Sequence, residues 1–239
     1  MTEKQLQINS LTLAQPVEWY KKGWLIFKNN PIQWILILVV FFISSILFNL
    51  VPVAGSFVYM LISPALIAGI FLATKKSANG EEIEVMDLFS VLADASIRNN
   101  FFILGALTAV FNFLIIALML GPMMGAAGMS HIMGSDGMMP AAVAGAGLGS
   151  LFLILPLIIL YVMAMVYAIP LILFSQQKVK PALILSIKAS VSNILPMFVA
   201  SVIYFLLAII AMIPMGLGFL VLFPMTFGAI YASYKDIFS

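Results

Sequence analysis

The residues best suited to chemistry lie between positions 121 and 149, where Met123, Met124, Met129, Met133, Met138 and Met139 surround His131, the only histidine. The alternation Met129, His131, Met133 combines thioethers with an imidazole, a soft donor set that favours Cu(I). A reading without metal competes with it. Gly, Ala and Met make a flexible apolar connection, and methionine fills irregular gaps or dips into lipid. The second reading is preferred, and Met129, His131 and Met133 stand as metal candidates with no site committed.

Other chemistry is disfavoured by residue type and spacing. Glu81, Glu82, Glu84, Asp87 and Asp94 could meet a hard cation, but they lack the EF-hand spacing and read as a solvated acidic face. Cysteine is absent, which excludes disulfides, thiolate metal sites and thiol nucleophiles. His131 has no Ser or Glu arranged with it, no GxxxxGK[ST] occurs, and Asp136 has no second carboxylate on its side. No catalytic residues and no cofactor are expected, and the basic residues are too dispersed for nucleic-acid binding.

The elements that hold these residues follow from where charge is missing. Four stretches, 31–74, 99–135, 137–177 and 189–234, contain no Asp, Glu, Lys or Arg. A membrane crossing needs about 20 apolar residues, so each accommodates one or two. With 64% hydrophobic and 8% charged residues, a water-soluble globule would leave large apolar surfaces exposed. Six crossings are expected, at 31–50, 56–74, 101–120, 150–174, 194–213 and 217–231, forming one membrane domain over 1–239 with a Met- and Gly-rich periplasmic loop at 121–149. No removable signal peptide is recognisable in the first thirty residues. Connections bearing Lys75, Lys76 and Arg98, and Lys178, Lys180 and Lys188, alternate with connections that hold no Lys or Arg, which predicts cytoplasmic termini.

Three cytoplasmic segments read as interfacial helices that lead into crossings. In 1–30, Val17, Tyr20, Trp24 and Phe27 share one side of a helix and Glu18, Lys21, Lys22 and Lys28 the other, so the aromatic face is expected at the headgroup boundary, with Trp19, Trp24 and Trp34 at that level. The others are 85–95, after the acidic run, and 181–193, which opens on a proline. They begin a repeat: Asn30 precedes Pro52 by 22 residues, Asn100 precedes Pro122 by 22, and Asn193 precedes Pro214 by 21. Pro64 and Pro224 each precede a lysine, Lys75 and Lys235, by 11. The expectation is three helical hairpins, parallel rather than inverted, each preceded by a cytoplasmic amphipathic helix. Asn112 and Asn49 are the notable polar residues at membrane depth, and interhelical hydrogen bonding is their expected role.

The run at 19–31 (WYKKGWLIFKNNP), the later Asp87-Leu88-Phe89 and the ending at 231–238 (YASYKDIF) resemble an uncharacterised family of multi-pass inner-membrane proteins of proteobacteria. The plan is also similar to the membrane domain attached to some glycerophosphodiester phosphodiesterases. The resemblance implies a bacterial inner-membrane location and a helical bundle with cytoplasmic termini. It carries no functional residues and does not extend to the Met-rich insert. The sequence thus reads as an all-α integral membrane protein, a non-enzymatic envelope or scaffold component whose partners are membrane lipids and another membrane protein or a second copy. The alternative is a carrier or channel for a lipidic solute or a soft metal ion such as Cu(I), although no ionisable residue sits near the centre of a crossing to serve a proton-coupled mechanism.

Overall fold

The computed structural model describes residues 6–132 and 139–238. These residues form ten α-helices: α1 (Gln15–Asn29), α2 (Pro31–Asn49), α3 (Ala54–Ala78), α4 (Ser90–Ala93), α5 (Ala95–Ile132), α6 (Met139–Met165), α7 (Ala168–Ser175), α8 (Val179–Ser192), α9 (Ile194–Met212) and α10 (Phe219–Ile237). A 3-10 turn, Val85–Phe89, precedes α4. Among the described residues there is no β-strand, only a bridge between Ile8 and Phe238 that ties the two ends of the chain together. Long apolar runs become helices because a bilayer offers no partner to an unpaired backbone amide or carbonyl. Five helical segments are long and apolar enough to cross a membrane: Pro31–Asn49, Ala54–Ala78, Ala95–Met129, Gly145–Ser175 and Ile194–Met212. The protein is therefore of multi-pass membrane type. α10 is as long as α9, but its last turns carry Tyr231, Ser233, Tyr234, Lys235 and Asp236, which lower its apolar character.

The repeated asparagines and prolines have local structural counterparts. Asn30 and Asn193 occupy the breaks α1/α2 and α8/α9, with φ of −143° and −119°. After Pro52, Val53 takes a φ of 61°, and after Pro214, Met215 takes 54°. Each turn is followed by a glycine pressed onto the preceding helix, Gly55 against the Phe48 carbonyl and Gly218 against Ala211, where a Cβ would overlap backbone. The middle stretch differs. Asp94, not Asn100, marks the start of α5, because its carboxylate accepts the Ser96 amide at 2.9 Å and caps the helix. Asn100 is then an ordinary helical position, and α5 runs straight through Pro122.

Two further expectations are corrected. Most of 121–149, expected as a loop, is helical, since α5 continues to Ile132 and α6 begins at Met139. Ala and Met are good helix formers and outweigh the glycines between them. The first helix also does not turn its aromatic face to lipid. Tyr20 and Phe27 are buried with Trp19, Gly23 and Ile26 against the protein, while Val17 and Trp24 stay exposed. Trp19 and Trp34 are core residues, not headgroup anchors, and the Trp34 indole donates to the Ile26 carbonyl at 3.3 Å.

Packing is concentrated at the charged end. α3 is the central helix, touching α1, α2, α5, α7 and α10. Half of its apolar window is buried, against 11% to 22% in the other four candidate spans. The entry segments close around this end: α1 packs chiefly on α10, the 3-10 turn and α4 pack on α3, and α8 packs on α6 and α7. Further out, α2, α5, α6 and α9 present broad apolar faces, including Phe113, Phe152, Phe198 and Phe205.

Candidate functional site

Two of the three metal candidates lie on α5 and the third falls outside the described residues. Met129 is exposed on α5, His131 lies two residues further along that helix, and Met133 is outside the described residues. Asp87, just after the acidic run, is tied up locally. Asp87 holds Lys76 of α3 at 2.6 Å and accepts the Glu84 amide at 3.0 Å, which anchors the 3-10 turn. Gly69 of α3 makes this docking possible, since a Cβ there would strike the Leu88 carbonyl.

The α1–α10 junction is built on a second close approach. Gly23 and Gly228 face one another, and a Cβ on Gly228 would lie 2.7 Å from Gly23 Cα. Neither glycine was singled out by the sequence reading; their signal is a small residue on the buried side of each helix. The contact brings the Trp19 indole to Asp236, donating to Oδ2 at 2.8 Å, with Lys22 Nζ 3.6 Å from Oδ1. Asn193 fastens the N-terminal segment by accepting the Leu11 amide at 2.9 Å and donating to the Asn9 carbonyl at 3.0 Å.

Beside this junction, between α6 and the α1–α9–α10 group, lies a lateral groove of about 300 Å³. Its apolar walls include Val162, Val166 and Met197, and its floor carries hydroxyls from three helices, α1, α9 and α10, and from the α6–α7 link. Most of these hydroxyls are already satisfied. Tyr20 donates to the Ala200 carbonyl at 3.3 Å, Tyr167 pairs with Ser233 at 3.0 Å, and Ser201 and Thr226 donate to carbonyls of their own helices at 2.7 and 2.8 Å. Burial, and then the neighbouring Tyr204, push the Tyr20 phenol up to about 12, so it remains a donor at ordinary pH. Tyr204 is half-buried in the same groove, and its hydroxyl has no hydrogen-bond partner among the described residues. A second cavity, of about 550 Å³, lies at the far end between the α2–α3 turn and α5 and is lined by Asn112.

These arrangements can bind and position an apolar molecule with one polar group; among the described residues they do not pair a nucleophile with a base. No known family model, curated protein or solved structure matches this chain.

Proposed function

We propose that this protein is a non-catalytic scaffold of the bacterial inner membrane that holds lipid along its crossings. In this reading α10 is a sixth crossing, the helices form three hairpins, the entry segments lie at the cytoplasmic face, and both termini are cytoplasmic. The observation that carries the reading is the contrast between a hydrogen-bonded, closely packed charged end and loosely packed apolar crossings with a hydroxyl-floored groove open at the side. A lipid chain fits such a groove, and its polar neck can meet the Tyr204 hydroxyl. A carrier of a lipidic solute is the second reading, favoured by the lateral opening of the same groove.

Native mass spectrometry of gently extracted protein tests the first reading. Phospholipid should stay bound to the parent and be largely lost from a variant carrying Tyr204→Phe and Ser201→Leu; equal retention by both refutes the groove's role. Lipid exchange between leaflets of reconstituted vesicles would select the carrier instead. Because the chain has no cysteine, single-cysteine variants report topology. Val53→Cys and Met215→Cys should react with an impermeant maleimide from outside, and Lys235→Cys only after permeabilisation.

A further inference from the structure

The lateral groove and the cavity at Asn112 are lined by uncharged residues, but a third cavity is not. It measures about 300 Å³ and lies at the charged end, on the seam of α1 and α10 beside the end of α3. Lys22, Leu25 and Asn29 line it from α1, and Tyr231, Lys235 and Asp236 from α10. Lys22, Leu25, Asn29 and Lys235 are exposed, so the cavity opens at the surface. Two ammonium groups against one carboxylate leave it a net charge of +1. The carboxylate is the part already engaged. Asp236 Oδ2 accepts the Trp19 indole at 2.8 Å, and Oδ1 makes a loose ion pair with Lys22 Nζ at 3.6 Å. Lys235 makes no ion pair or hydrogen bond among the described residues. Its Nζ sits 5.7 Å from the centre of the Tyr231 ring, a contact that steadies the side chain and leaves three N–H donors unused. Asn29 is steadied by donating to the Ser77 carbonyl at 2.8 Å, which leaves its second N–H.

We infer that this cavity binds a phosphate group, held between Lys22 and Lys235 with the Asn29 amide as a further donor. A cation would meet the uncompensated Lys235 and compete with Lys22 for Asp236, whereas an anion completes the charge balance. The site shares no lining residue with the lateral groove. A lipid headgroup and a free phosphate compound offer the same chemistry, and position favours the lipid. The charged end is where crossings meet headgroups, and Leu25 and its neighbour Trp24, 57% and 42% exposed, offer apolar contact to the chains below. In the orientation proposed above, this end meets the cytoplasmic leaflet, whose anionic lipids are held by basic pockets between helices. That step rests on the proposed topology; the charge of the cavity does not.

Native mass spectrometry of the full chain in detergent, titrated with phosphatidylglycerol, tests the inference. The titration is run on the parent and on the Tyr204→Phe, Ser201→Leu variant, so that lipid in the lateral groove is told apart from lipid here. A lysine beside an anionic headgroup is worth about fivefold in affinity, so Lys22→Gln with Lys235→Gln should weaken binding about thirtyfold in both backgrounds. Arginine at both positions should retain it, and unchanged melting midpoints verify that the variants are folded. Lys21→Gln with Lys28→Gln removes the same charge from α1 outside the cavity and should leave the adduct almost unchanged. Asp236→Asn keeps an acceptor for Trp19 and should tighten binding. In a second arm the melting midpoint is followed with inorganic phosphate. A lysine-dependent rise supports the inference with a free phosphate as the source; a lysine-dependent lipid adduct without that rise supports it with the lipid. Equal weakening by both glutamine pairs, weaker binding by Asp236→Asn, or no lysine dependence toward either ligand overturns it, and none of these results bears on the groove.

Discussion

Replacing Gly228 with alanine adds one methyl at the point where α1 and α10 come closest, and the structure sets its cost. The new Cβ would lie 2.7 Å from Gly23 Cα and 3.4 Å from the Gly23 carbonyl oxygen. Ordinary contact between carbon atoms begins near 3.4 Å, so the two backbones must separate by about 0.7 Å. That shift lengthens the 2.8 Å bond between Trp19 and Asp236 past useful range and loosens the contact of Lys22 with the same carboxylate. Overpacking together with a weakened charge-assisted bond costs about 2–4 kcal/mol, or roughly 5–10 °C in an apparent melting midpoint for a chain of this size. Intrinsic fluorescence in detergent is a suitable assay, since Trp19 and Trp34 are 2% and 0% exposed and Trp24 is 42% exposed, so two of the three indoles report on the core. Gly121→Ala and Gly125→Ala serve as controls, because a methyl at either position meets nothing within 4 Å. Their midpoints should hold or rise, alanine being the better helix former. A Gly228→Ala midpoint equal to the parent's, or an equal fall in all three variants, would refute the close-packing argument.

Asp87→Ala should free the 3-10 turn from α3 by removing both the Lys76 partner and the bond from the Glu84 amide. Lys76 is partly exposed, so the loss is about 2 kcal/mol rather than that of a fully buried pair; hydrogen exchange across 84–93 should accelerate, and unchanged protection there counts against the assignment. The Ser96 hydroxyl, and then its amide, hold the Asp94 carboxyl below its ordinary value of 3.8. A folded value below the unfolded one means that the cap contributes above the unfolded value and is lost as pH falls through the folded value. Protection of the first α5 turn should therefore fade on acidification below the ordinary value, and Asp94→Ala should abolish that dependence. A parent profile that stays flat through this range would contradict the cap.

What could be read from the sequence depended on which residues admit only one local solution. Charge exclusion placed the long apolar helices, and Pro52 and Pro214 marked turns because each is followed by a left-handed residue and a glycine pressed onto the preceding helix. Asn100 misled because Asp94 and Ser96 form a stronger helix start six residues earlier. The glycines of 121–149 suggested a loop, although Ala and Met between them sustain helix. The buried face of α1 was hidden for a different reason. Protein interior and lipid are both apolar, so Tyr20 and Phe27 look the same facing either, and only the partner's surface decides. The groove around Tyr204 and the cavity at Asn112 are gaps between elements distant in sequence, which no local pattern records.

The closure of the charged end constrains how the chain is assembled. α1 is made first, yet its principal partner, α10, is made last, and the bond from Trp19 to Asp236 spans 217 residues. Until α10 is in place, the side of α1 that holds Trp19, Tyr20 and Gly23 lacks its packing surface, and α1 can rest at the headgroup boundary on the very aromatic face its sequence displays. Docking then exchanges lipid contact for protein contact at little hydrophobic gain. The driving force must come instead from close backbone approach and specific hydrogen bonds. Gly23 opposite Gly228, with Trp19 on Asp236 and Tyr20 on the Ala200 carbonyl, supplies both at one junction, which is why a single added methyl there is expected to matter more than larger changes on the open faces of α5 or α9.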